Sequence, residues 1–202
     1  MSRLPILLAA GVILLCSGCG GRAAEKIETP PPARQTFAGS AVTPPRPAPA
    51  IALHDAWGKP VTLAAQRGRY ALVTFLYVHC PDVCPLIAQN LNAALRQLGA
   101  ARNHVRVLAV SVDPRGDTRA AVRRYIASKG LLPQFRYLIG TKAELAKTWA
   151  AWHVLSVRQS PELVDHVAYT ALVDPTGKQR VLYDSKLTST QVLHDLRRLM
   201  SA

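Results

Sequence analysis

Residues 72–85, Leu-Val-Thr-Phe-Leu-Tyr-Val-His-Cys-Pro-Asp-Val-Cys-Pro, restrict the fold more than any other part of this chain. They open as an apolar, β-branched and aromatic run, the composition of a strand buried on both faces. Pro81 interrupts the run. Ile87, Leu91, Leu95 and Leu98 then repeat at helical spacing up to Gly99, a residue suited to a left-handed C-terminal position. The sequence therefore predicts a strand-to-helix corner, with Cys80 at the bend and Cys84 in or near the first helical turn. Free amide N–H groups and the helix dipole stabilise a thiolate there, and the thiolate is the form that attacks disulfides and binds metals.

The spacing is C-x3-C, one residue longer than the C-x-x-C of thioredoxin-type oxidoreductases. Four residues along a helix separate Cα atoms by about 6 Å, a gap that a disulfide just bridges. The same gap suits two sulfurs sharing one metal ion. Dithiol/disulfide chemistry and soft-metal binding both stay open. A pair of inert buried cysteines is the weaker reading, since it gives no reason for Pro-Asp-Val between them at a helix entry.

The chain ends bear on where this chemistry takes place. Arg3 precedes an apolar run over residues 4–15, long enough for a signal h-region and short for a membrane span. The run closes on Cys16-Ser17-Gly18-Cys19, where small residues before a cysteine resemble a bacterial lipoprotein signal with Cys19 as the lipidated residue. An ordinary cleaved signal or a retained anchor would equally place the domain outside the cytoplasm. Residues 20–50 are rich in Pro, Ala and Arg with no hydrophobic period, and are expected to form a disordered tether. Residues 51–202 are expected to form one domain, for which a hydrophobic share of 49% is ample. The formal charge of +13 is spread along the chain. With no basic helix interleaved with aromatics, it reads as a solvated surface rather than a nucleic-acid site.

Along the domain, residues 51–63 predict a small N-terminal hairpin, and residues 105–112 a second apolar strand that ends in Asp113-Pro114-Arg115-Gly116-Asp117-Thr118. Ala121, Val122, Tyr125 and Ile126 mark a helix closed by Gly130, and a short piece follows over residues 135–139. Thr141-Lys142-Ala143-Glu144 has the form of a capping box, opening a helix with Leu145, Trp149 and Trp152 along one side. After a loop with Ser160 and Pro161 come Val164-Asp165-His166, then two strands about the turn Asp174-Pro175-Thr176-Gly177. A last helix, capped by Thr188 or Ser189, turns Val192, Leu196 and Leu199 inward. This order implies an α/β fold with a mixed central sheet flanked by helices on both faces.

Three ordered stretches carry a family resemblance: residues 77–85, residues 111–118, and Asp165-His166 ahead of residues 172–178. Together they resemble the Sco/SenC proteins, thioredoxin-like copper-binding proteins of cytochrome c oxidase assembly. The resemblance implies a thioredoxin-like fold and copper ligation by Cys80, Cys84 and His166. It also implies that the protein delivers copper to the binuclear centre of oxidase subunit II, or reduces that centre's cysteines. Either role calls for a thiol reductant of thioredoxin type. The alternative is an extracytoplasmic thiol–disulfide oxidoreductase using Cys80 and Cys84. A lipobox-like motif with a Pro-rich tether stands where many relatives of that family have a transmembrane anchor.

The donor set is chemically apt. Thiolates favour Cu(I), and two thiolates with a neutral imidazole also hold Cu(II), one copper per chain. Zinc is the competitor, because Cys2His plus water is a catalytic zinc set. His79 is adjacent to Cys80, but strand alternation would turn it away if the strand persisted that far. Asp82 is expected to cap the helix, and Asp165 to orient the imidazole.

Overall fold

The apolar run of the cysteine stretch folds into the interior of a sheet. The computed structural model describes residues 37–158, 164–166 and 168–201. Its strands are β1 (Ser40–Pro47), β2 (Ala52–Asp55), β3 (Pro60–Thr62), β4 (Tyr70–Leu76), β5 (Val105–Ser111), β6 (Phe135–Ile139), β7 (Ser156–Arg158), β8 (Val164–His166), β9 (Thr170–Val173) and β10 (Lys178–Tyr183). Its α-helices are α1 (Val83–Gln97), α2 (Arg119–Ser128), α3 (Lys142–Ala151) and α4 (Ser189–Met200). Among the described residues, eight strands make one sheet in the order β1-β10-β9-β4-β5-β6-β2-β3, and β7 pairs with β8 alone. β4, β5 and β6 run parallel, and every other pairing is antiparallel.

β4 is central because its side chains demand burial on both faces. Leu72, Val73, Phe75 and Leu76 are fully buried. Each such side chain contributes about 1.5–3 kcal/mol on leaving water. The crossovers β4–α1–β5 and β5–α2–β6 step across the sheet in the same direction and so lay α1 and α2 on one face. There α1 packs against α4. Asn92 of α1 also donates to the Gly130 carbonyl and accepts from Leu132 N–H, which ties α1 to the end of α2. On the other face α3 is anchored by Trp149 within it and Trp152 just past its end. Trp149 Nε1 donates to the Ser111 carbonyl, and Trp152 stacks at a tilt on Phe75.

Local signals held. Gly99 and Gly130 take φ of +58° and +54° just past α1 and α2. Thr118 caps α2, and Thr141 and Thr188 form capping boxes with Glu144 and Gln191. The hairpin expected over residues 51–63 is β2–β3.

Two expectations are corrected. The tether does not extend to residue 50: residues 40–47 form an edge strand on β10, with Val42 buried. Pro44, Pro45 and Pro47 are tolerated because an edge strand leaves one side's donors unused. Asp195, fully buried on α4, anchors the entry by accepting from the N–H groups of Ala38 and Gly39 at 2.7 and 3.0 Å. Gly39 has to be glycine, since a Cβ there would lie 2.5 Å from Val181. The second correction concerns β4, which ends at Leu76, so His79 sits in a turn and is exposed. Cys19, the signal segment, most of the expected tether and the Ser160-Pro161 loop lie outside the described residues. Among those described, no helix is long and apolar enough to cross a membrane.

Candidate metal and dithiol centre

The chain leaves β4 through a tight turn in which Cys80 N–H donates to the Tyr77 carbonyl at 3.3 Å. It enters α1 at Val83, which makes Cys84 the second helical residue. The expected corner is therefore present, with both thiols reduced. Cys84 is fully buried and Cys80 is 8% exposed, so an incoming metal or disulfide meets Cys80 first.

Asp82 occupies the N-cap position but makes no side-chain capping bond and is exposed. The sulfur of Cys80 does that job instead, accepting the Cys84 backbone N–H at 3.4 Å. A helix start carries a partial positive charge and unpaired N–H groups, so a sulfur held there is drawn toward the thiolate. The Cys80 thiol is accordingly pulled down to about 5. The Cys84 thiol donating to it is the largest cause, against the opposing effect of burial; the N–H groups of Asp82 and Cys84 and the Tyr77 hydroxyl add to the pull. Cys84 is pushed up, as the donor in that bond and by burial. The pair thus holds one negative charge and one proton at neutral pH, on different sulfurs.

Two residues that sequence reasoning passed over build the rest. Tyr77 is raised to about 12, chiefly by burial, and stays a neutral hydroxyl. Its oxygen accepts the Val164 N–H at 3.5 Å while its proton faces Cys80. Asp117 is buried behind the turn. Its Oδ1 accepts from Val78 N–H at 2.9 Å, and its Oδ2 accepts from Ser111 Oγ at 2.6 Å and Tyr137 Oη at 3.0 Å. It therefore fastens the cysteine turn to β5 and β6. Burial raises its carboxyl to about 7 against those three donors. The available signal was an acid directly before the Thr118 cap, after an apolar strand.

Gly116 lies in the same loop, where a Cβ would overlap the Asp113 carboxylate and meet the His79 ring at 3.1 Å. His79 therefore rests on that loop. His54, His104 and His153 stand exposed elsewhere, and His194 pairs with Asp195.

The hairpin β7–β8 carries the downstream histidine. Its register sets His166 opposite Ser156, two residues beyond Val164. Val164 is buried and bonded to Tyr77, and Ser156 Oγ donates to the Val112 carbonyl at 2.8 Å. The hairpin backbone is thereby connected to Cys80 through one side chain, Tyr77. The side chains of Asp165 and His166 lie outside the described residues. Among those described, no three His, Cys, Asp or Glu side chains converge as a metal site. The two sulfurs alone offer a soft two-ligand bite, which fits copper and leaves room for a third donor. A cleft of about 550 Å³ runs beside the hairpin, lined by Val112, Asp113, Arg115, Lys142, Trp149 and Val164.

The sequence matches the family model described as SCO1/SenC over residues 45–201. It is 31% identical over 159 residues to the mitochondrial SCO2 homolog of Bos taurus, covering 75% of this chain and 59% of that protein. With the Mus musculus homolog, the share of the relative covered is 62%. The chain thus spans less than two thirds of these relatives' length. Among solved structures it is similar to apo Sco1 of Thermus thermophilus, at 32% identity and a TM-score of 0.71, covering 83% of this chain and 99% of that one. It is likewise similar to Bradyrhizobium japonicum ScoI with copper bound, at 31% identity and a TM-score of 0.67, covering 75% and 98%.

Proposed function

Because the chain belongs to the SCO1/SenC family, we propose that it carries one copper ion on Cys80, Cys84 and His166 and passes it to a partner cuproenzyme. The fold is the thioredoxin-like one of that family. The cargo is Cu(I) or Cu(II), and the recipient is the binuclear centre of cytochrome c oxidase subunit II. Support comes from one observation above the rest: the connection from Val164 through Tyr77 to Cys80, which joins the histidine-bearing hairpin to a preset thiolate. A soft anionic sulfur beside a protonated one suits a carrier, since metal entry displaces a single proton. Placement outside the cytoplasm, with Cys19 lipidated as the membrane anchor, completes the reading. The oxidised pair cannot bind copper, so a thioredoxin-type reductant is its third partner besides the membrane and the oxidase.

The test is metal analysis of the reduced protein equilibrated with Cu(I) or Cu(II). One copper per chain is expected, lost in Cys80→Ser and Cys84→Ser and weakened in His166→Ala. Unchanged affinity in His166→Ala would sink the ligand assignment.

A second reading, thiol–disulfide exchange, is favoured by the low Cys80 value beside a buried, protonated Cys84. In it the Cys80 thiolate attacks a substrate disulfide, releasing one substrate thiolate. Cys84 then loses its proton, displaces the second substrate thiolate, and closes the Cys80–Cys84 disulfide. Turnover insensitive to a copper chelator and to His166→Ala would select this reading.

A further inference from the structure

The turn joining β2 to β3 presents an exposed tryptophan on a hydrogen-bonded backbone. Asp55 is fully buried, and its Oδ1 accepts from the N–H groups of Trp57 at 2.9 Å and Lys59 at 3.0 Å. Its Oδ2 takes the Arg136 guanidinium at 3.1 Å. Its backbone closes the turn from both sides, with Gly58 N–H donating to the Asp55 carbonyl and Asp55 N–H to the Lys59 carbonyl. Trp57 is nevertheless 52% exposed, whereas Trp149 and Trp152 are buried at 8% and 2%. A half-exposed indole on a hydrogen-bonded turn, continuous with an apolar groove, offers a contact surface.

The surroundings are apolar and cationic. A groove of about 400 Å³ beside Trp57 is lined by Ile126, Leu131, Leu132 and Phe135, with Lys59 and Arg136 also on it. The neighbouring helix α2 carries Arg119, Arg123 and Arg124, all exposed, and no carboxylate. The Arg119 guanidinium lies against the turn, 3.4 Å from where a Cβ of Gly58 would stand. Asp55, the carboxylate lining this groove, is buried and already engaged. An indole at a turn tip flanked by arginine and lysine is the arrangement that seats at a bilayer's headgroup level, and the cations complement anionic lipid. The apolar run at residues 4–15 and the Pro-rich stretch after it give a chain able to hold the domain beside such a surface.

We propose that Trp57, with Lys59, Arg119 and Arg123 around it, is a contact face for an anionic bilayer. This face is separate from the cysteine corner and does not depend on the copper reading. An acidic protein is the rival occupant. A bilayer is favoured because the aromatic stands on a turn tip at the edge of an open groove, with cations spread around it.

The test uses the full chain reconstituted in phosphatidylcholine vesicles with and without phosphatidylglycerol, some with brominated acyl chains. Trp57 is the exposed indole, and Trp57→Phe supplies the background from the two buried ones. In anionic vesicles the Trp57 emission should shift to the blue, become quenched by bromine and resist aqueous acrylamide. Arg123→Gln, which leaves the turn contact intact, should weaken the association about fivefold, and Arg119→Gln/Arg123→Gln about twenty-five-fold. Acrylamide access unchanged by anionic lipid, with no bromine quenching, overturns the proposal. So does protection of Trp57 by a soluble acidic protein but not by vesicles. Equal quenching in pure phosphatidylcholine overturns the anionic requirement.

Discussion

The backbone N–H of Cys84 donates to the sulfur of Cys80 across 3.4 Å. One thiol of the pair thus caps the helix that carries the other. The residue between them in the N-cap position, Asp82, is left facing solvent. This asymmetry separates the two sulfurs chemically although they share one turn, and it underlies the first prediction.

Cys80 is the thiolate. Its alkylation by iodoacetamide should rise to half-maximum near pH 5, against an ordinary thiol value of 9.0. Cys84→Ala removes the largest contributor and should move that midpoint upward, toward the ordinary value. Rates measured from pH 4 to 10, with the modified residue identified by mass spectrometry, decide it. A midpoint near 9 in the intact protein would refute the capped-thiolate geometry. The stability linkage has a matching sign. The folded value lies below the unfolded one, so this group's contribution is complete above about pH 9 and is lost as pH falls through about 5.

Tyr77 couples the hairpin to the thiolate. Tyr77→Phe deletes both the acceptor for Val164 N–H and the hydroxyl facing Cys80. The expected loss of stability is about 0.5–1.5 kcal/mol, the net value of an ordinary hydrogen bond. Faster amide exchange should appear at Val164, and the Cys80 alkylation midpoint should rise. Exchange at Val164 equal to the parent's would show that the hairpin is held by other contacts.

Asp117 holds the cysteine turn from behind. Asp117→Ala strands the Val78 N–H and the Ser111 and Tyr137 hydroxyls in the interior. The cost should be roughly 2–5 kcal/mol in urea unfolding, since each stranded group incurs its desolvation penalty with no hydrogen bond to offset it. The ionisation has its own signature. Burial raises this carboxyl from 3.8 to about 7, so its stabilising contribution is full below pH 3.8 and is lost as pH rises through about 7. Asp117→Asn removes that dependence. The parent's stability relative to Asp117→Asn should therefore decline between pH 4 and 8, and a flat difference would contradict the assignment.

The edge strand depends on Asp195. Asp195→Ala removes the acceptor for Ala38 and Gly39 N–H and for the Tyr183 hydroxyl at 2.9 Å. Limited proteolysis should then cut within residues 37–47 much faster than in the parent, while the cysteine corner keeps its alkylation profile. Resistance equal to the parent's would mean that pairing with β10 alone secures the strand.

The parts of this fold that could be read in advance are those set by neighbours in the chain. The β-branched run of β4, the helical stripe of α1, the capping box of Thr141 with Glu144, the cap at Thr188, and the left-handed Gly99 and Gly130 each depend on residues within a turn or two. Both cysteines fall in that class, because a strand followed by Pro81 and a helical stripe already places them at a corner. β1 was missed for the opposite reason. Its prolines erase the alternating pattern, and it is a strand only because β10, more than 130 residues away, and Asp195 supply its partners.

From its order of residues alone, this protein's thiol pair, helix entry and mixed α/β layout were determined, since hydrophobic period and capping chemistry act locally. The tertiary structure decided which sulfur carries the charge, which carboxylate sits behind it, and how the Val164 strand meets Tyr77. Those outcomes depend on burial and on hydrogen bonds between residues 39 and 87 positions apart. Desolvation and long-range pairing exist only once the chain has closed on itself.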